Sequence, residues 1–227
     1  TSYTMNSIKY ACSLNNQGVD LLLSGESARA TKAFQFAICL LKRASVTEAE
    51  DFSCTEINSS CDDAPLPFSE SISTVSGLQG LLGYVYDHGI IISDNISNAK
   101  TEATISLYIA VVLFNLALTF HCRGTALGGD ALLEKASVLY TLVVELLNTC
   151  TMAEDASSTI LTLLALNNKA QIRYDQCDYV QSIDCMKYIS QIIGSGRGFH
   201  FALNPDDLEG LMLNVMLLRT PSVAQAA

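Results

Sequence analysis

A chain of 227 residues that is 49% hydrophobic and 16% charged has ample apolar surface to bury and does not have the composition of a disordered segment. Its formal net charge is -10, and Lys and Arg stand singly apart from Lys42-Arg43. With no basic face to displace counterions, nucleic acid and anionic membrane surfaces are disfavoured as partners.

The 8 Cys include no C-x-x-C pair, and the 3 His are too dispersed for a sequence-local zinc motif. Most Cys fall in apolar helical patterns, where a reduced Cys acts as a small hydrophobe. That favours a reducing, intracellular compartment. Cys54 and Cys61 differ, because they lie in a polar loop and can pair if oxidised. No basic stretch followed by an apolar run stands at the start, so no secretory leader is expected.

In chain order, residues 5–23 read as a first helix with Leu14, Leu21 and Leu22 on one face, although Asn15, Asn16, Gly18 and Asp20 lower its propensity. Gly25 breaks it. Ser27 to Arg43 is amphipathic, with Ala30, Phe34, Ala37, Ile38 and Leu41 on one side and Lys42-Arg43 complementing the helix dipole. From Ser45 to about Thr101 the helical pattern lapses. Ser45–Ser71 carries seven acidic residues, no basic ones, and Pro65 and Pro67, which is loop composition. In Val75–Ser93, Gly77, Gly80, Gly83 and Gly89 argue against helix. Tyr84-Val85-Tyr86 and Ile90-Ile91-Ile92 flank Asp87-His88-Gly89, which suits a short hairpin or an extended segment lying on the helices, the extended form being favoured.

Glu102–Cys122 and Ala131–Asn148 are expected to form a helix pair. Ala103 to Phe120 has no charge and a length at the lower edge for a bilayer span. Asn115 interrupts it, and a helix flanked on both sides is apolar all round, so a buried helix is favoured. Thr151–Gln176 begins with polar and acidic residues suited to a helix N-terminus, then becomes helical. A tight turn at Gln176–Asp178 leads to a partner over Asp178–Ile193. Gly194–Gly198 superficially suggests a phosphate loop, but it follows a helix and lacks a GK[ST] ending, so a helix terminator is expected. Asn204-Pro205-Asp206-Asp207 is a helix start, with N-cap, Pro at the first position and acids in the first turn. Leu208, Leu211, Met212, Val215 and Leu218 continue it as an apolar stripe, and Thr220–Ala227 reads as a loose tail.

One spacing recurs. Asn168 is followed by Ser182, Met186 and Ile189, and Asn16 by Ala30, Phe34 and Ala37, at the same intervals. Asn115, Ala136, Tyr140 and Val143 repeat the last steps after a longer first one, the extra residues being expected in the turn around Gly124–Asp130. Small residues at the second and fourth positions let helices approach, and the larger third fills the space. This resembles the tetratricopeptide repeat (TPR), a helix–turn–helix unit of about 34 residues. The first copy has Asn16-Gln17-Gly18 near the family's Leu-Gly, the middle copy keeps Leu116-Ala117 and Gly124, and the last has Asp178-Tyr179 with Cys177 for the usual Gly. No copy has the closing Pro, and the chain has no Trp. The middle segment and the ending also look like uncharacterised TPR-like proteins abundant in diatoms.

The resemblance implies an all-α, right-handed TPR-like solenoid of about three repeats in a single domain over 1–227. Repeats are expected over about 11–44, 102–148 and 160–194, with an acidic loop and extended insert over about 45–101 and a capping helix over about 205–219. Solenoids need such a cap because the last repeat is otherwise open.

His88, His121 and His200 lie in three contexts with no GxSxG, HExxH or C-x-x-C nearby, and Asp62-Asp63 and Asp206-Asp207 are explained by solvation and capping. A non-catalytic protein with no cofactor and no metal is expected. In TPR proteins the position of Asn16, Asn115 and Asn168 faces the concave groove, and the resemblance implies the same here. An Asn amide both donates and accepts, so it can hold the backbone of an extended peptide. A role tidying turn or inter-helix hydrogen bonds stands beside that reading. The same register adds Asn15, Phe114, Leu118, His121, Asn167, Gln171 and Tyr174. Asn16, Asn115, His121, Asn168, Gln171 and Tyr174 are the candidate peptide-binding residues. Val19, Asn15, Leu164 and Asn168 stand where one TPR subclass grips a chaperone carboxylate with Asn, Lys and a basic pair, which disfavours that ligand. The expected function is an adaptor binding a protein or peptide segment, the alternative being a structural or autoinhibited subunit whose own insert, about 75–93, fills the groove.

Overall fold

Three backbone positions with positive φ fold the chain into helix pairs: Gly25 at 77°, Gly128 at 61° and Cys177 at 62°. At each, the amide of the residue itself reaches back three residues and the amide of the next residue reaches back five. The second set comprises Glu26 to Leu21 (2.8 Å), Gly129 to Gly124 (2.9 Å) and Asp178 to Arg173 (2.8 Å). This is the Schellman arrangement, which satisfies carbonyls that a helix end leaves open. The computed structural model describes residues 2–49, 84–93, 101–149, 156–195 and 203–219.

Those residues hold seven helices: α1 (Ser2–Leu23), α2 (Ser27–Ala49), α3 (Glu102–Leu127), α4 (Asp130–Thr149), α5 (Ala156–Asp175), α6 (Tyr179–Gly194) and α7 (Pro205–Arg219). No strand occurs among the described residues, so the fold is all-α. Side-chain caps start several helices. Thr101 accepts from the Thr104 amide, Asp178 from the Gln181 amide at 3.3 Å and Asn204 from the Asp206 amide at 3.2 Å. α2 runs past Arg43 to Ala49, so Lys42 and Arg43 lie inside the helix rather than in its last turn.

Each helix packs on its neighbours in the chain, and the odd-numbered helices α1, α3, α5 and α7 also touch in series. Ala30, Phe34 and Ala37 of α2, Ala136, Tyr140 and Val143 of α4, and Ser182, Met186 and Ile189 of α6 are all buried. Gly18 is required where α1 meets α2, because a β-carbon there would stand 2.5 Å from the Phe34 ring. α3 carries the only candidate span among the described residues, long and apolar enough to cross a membrane, but 72% of its apolar window is buried inside the protein.

The longer middle unit departs from the sequence expectation. The turn at Gly128 is no longer than the others, since α2, α4 and α6 each begin two residues after their positive-φ residue. The extra residues extend the helices instead. Gly128 lies 13 residues after Asn115, against 9 for Gly25 after Asn16 and for Cys177 after Asn168. Ala136 lies 8 residues after Gly128, against 5 in the other two pairs. Additions close to 3.6 residues add one turn while keeping the buried faces in phase. The added turns meet where a β-carbon on Gly124 would sit 2.8 Å from Leu133.

Residues 84–93 are neither helix nor paired strand. They lie extended across the odd-numbered helices, with Val85, Tyr86, Ile90 and Ile92 joining the core. The two apolar triplets do not form a hairpin with each other, because each pairs with a different set of helices. Ser45–Ala49, expected to open the acidic loop, instead continue α2 as helix. The rest of that loop, with Cys54 and Cys61, and residues 75–83 lie outside the described residues.

Candidate functional site

An extended residue directs its N–H and C=O to the same side, and residues two apart repeat that direction. A carboxamide placed opposite can serve both groups at once. Four asparagines do this along residues 84–92. Asn214 of α7 accepts from the Tyr84 amide at 2.8 Å and donates to the Tyr84 carbonyl at 2.5 Å. Asn168 of α5 does the same to Tyr86 at 2.9 and 2.8 Å. Asn115 of α3 holds Ile90, both bonds being 2.8 Å. Asn16 of α1 holds Ile92 at 2.9 and 2.8 Å. The segment therefore runs from the last helix to the first.

The held residues are Tyr84, Tyr86, Ile90 and Ile92, so the steps from helix to helix are two, four and two residues, with Asp87-His88-Gly89 as the extra chain in the middle. The segment also lies tight against α1 at Gly89, where a β-carbon would meet Val19.

The asparagines form two matching sets. Asn15, beside Asn16, donates to the Ile90 carbonyl at 3.0 Å and accepts from Asn115 at 2.8 Å. Asn167, beside Asn168, donates to the Tyr84 carbonyl at 3.1 Å and accepts from Asn214 at 2.6 Å. Each set is thus an Asn-Asn pair on one helix and a single Asn on the next odd helix. Asn15, Asn115, Asn167, Asn168 and Asn214 are fully buried, while Asn16 is half-buried. Buried amides of this kind are costly unless paired, so each set fixes both its own helices and the segment.

The side chains of the segment settle into different surroundings. The Tyr86 ring lies edge-on to His88 at 5.2 Å and to Phe114 at 6.0 Å, and Phe114 continues to Tyr140 at 5.5 Å. The Tyr84 hydroxyl donates to Asp207. Burial raises the Tyr84 hydroxyl, the Asp207 bond adding to it, and burial raises Tyr86, so both remain protonated. Burial also raises the Asp87 carboxyl, partly opposed by His88, whose ring stands 3.7 Å away.

Of the six residues singled out from the sequence, Asn16, Asn115 and Asn168 are brought together on the segment. The other three have partners elsewhere. His121 is buried with its Nδ1 3.5 Å from the Tyr140 hydroxyl, and burial lowers it to about 4. Gln171 donates to Asp175 at 2.8 Å, leaving its buried oxygen without a partner. Tyr174 lies edge-on to Tyr179 at 5.3 Å. Asn214 and Asp207 are the site residues the sequence reading passed over. Asn214 had a visible signal, since it is a single Asn inside an apolar run, as Asn115 is.

A separate cavity of about 180 Å³ lies among α4, α5 and α6, lined by Leu147, Thr162, Tyr188 and Ile192. Among the described residues no group of three or more His, Cys, Asp or Glu is placed to hold a metal ion. No family model, curated protein or solved structure matches the chain.

Proposed function

We propose that the chain is a non-catalytic, TPR-like peptide-binding module whose binding face is closed by its own residues 84–93. One observation carries this reading. Four asparagines on α1, α3, α5 and α7 each serve both the N–H and the C=O of one extended residue. Such a face holds a backbone whatever side chains it bears, so it suits a second extended segment as well as the first. The serial packing of the helices, the three identical turns and the buried small–large–small positions support a right-handed solenoid with α7 as its cap. Its partner is an extended protein or peptide segment that displaces the internal one.

The test opens the face in the full-length chain. Tyr86→Pro with Ile90→Pro removes the two amides that Asn168 and Asn115 accept. A labelled peptide with the sequence of residues 84–93 is expected to bind this variant and not the parent. A folded, opened variant that takes up no extended peptide removes the reading.

A second reading is a purely structural segment, favoured by the burial of Val85, Tyr86, Ile90 and Ile92 in the core. Amide exchange separates the two. A displaceable segment exchanges by local opening, whereas a structural one exchanges only with global unfolding.

A further inference from the structure

We propose that α7 carries a tyrosine-reading subsite, so that the peptide this face takes bears an unmodified tyrosine at the position held by Asn214. This rests on the peptide-binding reading above and adds which ligand is chosen.

Three separate contacts meet at Tyr84. Asn214 fixes its backbone through both peptide groups. Gly210, one turn earlier on α7, faces the ring so closely that any β-carbon there would overlap it. Asp207, at the third position of the helix, accepts the phenolic hydroxyl. The three lie at near-helical spacing, so α7 presents a carboxylate, a flat gap and a carboxamide along one stripe. A tyrosine fits all three, with its hydroxyl, ring and backbone used in turn.

The other rungs lack this. Ile90 and Ile92 offer aliphatic side chains to the core, and the Tyr86 ring packs against Phe114 and His88. Backbone holding is therefore common to the rungs, and side-chain chemistry is concentrated at α7. A phenylalanine keeps the ring and backbone contacts but leaves a half-buried carboxylate without its donor. A phosphotyrosine sets a near-dianion against Asp207, with Asp206 adjacent, so like charges meet where a neutral donor belongs. The subsite reads tyrosine and rejects its phosphorylated form.

The experiment uses the full-length Tyr86→Pro, Ile90→Pro variant and labelled peptides of residues 84–93 with Tyr, Phe or phosphotyrosine at the first position. The Tyr peptide is expected to bind, the Phe peptide roughly tenfold more weakly, and the phosphotyrosine peptide more weakly still. Adding Asp207→Ala should bring Tyr and Phe peptides to the same affinity and reduce the phosphotyrosine penalty. Equal binding of Tyr and Phe peptides before that change overturns the subsite and leaves the backbone-holding face standing. Binding of no peptide by a folded variant removes the face, and the subsite with it.

If the opened variant does not fold, the parent chain decides. Tyr84→Phe and Asp207→Ala should each speed amide exchange in residues 84–92. The double variant should be no faster than the faster single. Effects that simply add would show the two groups to be uncoupled and overturn the proposal.

Discussion

A β-carbon built on Gly89 would stand 2.7 Å from Cγ1 of Val19. The middle of the segment therefore passes over α1 with no room for a side chain. Val19 on α1 is covered here by glycine backbone. Gly89→Ala should lower stability by about 1–3 kcal/mol through overpacking. Val19→Ala should recover part of that loss in the double variant, although it costs stability alone. Urea denaturation of the four chains measures this coupling, and its absence would mean the segment shifts freely at this point.

The asparagines should differ in a defined order. Asn168→Ala leaves the Tyr86 N–H and C=O buried without their partner and also removes a bond to the Tyr140 hydroxyl at 3.1 Å. A loss of about 2–4 kcal/mol is expected. Asn115→Ala should cost less, because Asn15 still donates to the Ile90 carbonyl. Asn16→Ala should cost about 1 kcal/mol, since water can reach its half-buried site. Equal losses in denaturant midpoints would show that burial does not set the order.

Cys177 is the sole described non-glycine residue with positive φ, and it stands where the other two pairs use glycine. Its side chain is exposed. Cys177→Gly should therefore raise stability by about 1 kcal/mol, the approximate cost of a left-handed L-residue. Gly25→Ala should lower it by a similar amount. A thermal scan of both variants checks the opposite signs.

Burial holds His121 neutral, with its folded value lowered from 6.5 to about 4. The unfolded chain takes up this proton first as pH falls, so the contribution is complete above about 6.5 and is lost between there and about 4. At about 1.4 kcal/mol per unit of separation, the loss is roughly 3 kcal/mol. His121→Gln should flatten the fall in stability across that window. A curve of unchanged slope would place the acid sensitivity elsewhere.

The helices were legible because their signals are local. Gly25, the Asn204-Pro205-Asp206-Asp207 start and the Ala30, Phe34, Ala37 stripe act within a turn or two of chain. The extended character of residues 84–93 was also visible, from glycine spacing and β-branched residues. Its destination was less so. Asn168 and Tyr86 are 82 positions apart, and nothing in either neighbourhood names the other. The Asn-Asn pairs at 15–16 and 167–168 were a usable sign, whereas Asn214 sat in a helix read only as a cap. His121, Gln171 and Tyr174 followed from repeat register, which fixes a helix face but not which member of that face reaches the segment. Asp207 satisfied a helix-start rule so well that its bond to Tyr84 left no trace in the sequence.

The direction of the segment also sets when it can be fastened during synthesis. Ile92 can meet Asn16 as soon as both have emerged, since Asn16 is made 76 residues earlier. Tyr84 must wait for Asn214, made 130 residues later. Pairings of such long range close slowly, because much chain must be ordered before they form. The nascent chain thus carries its apolar strip unfastened at one end until α7 leaves the ribosome.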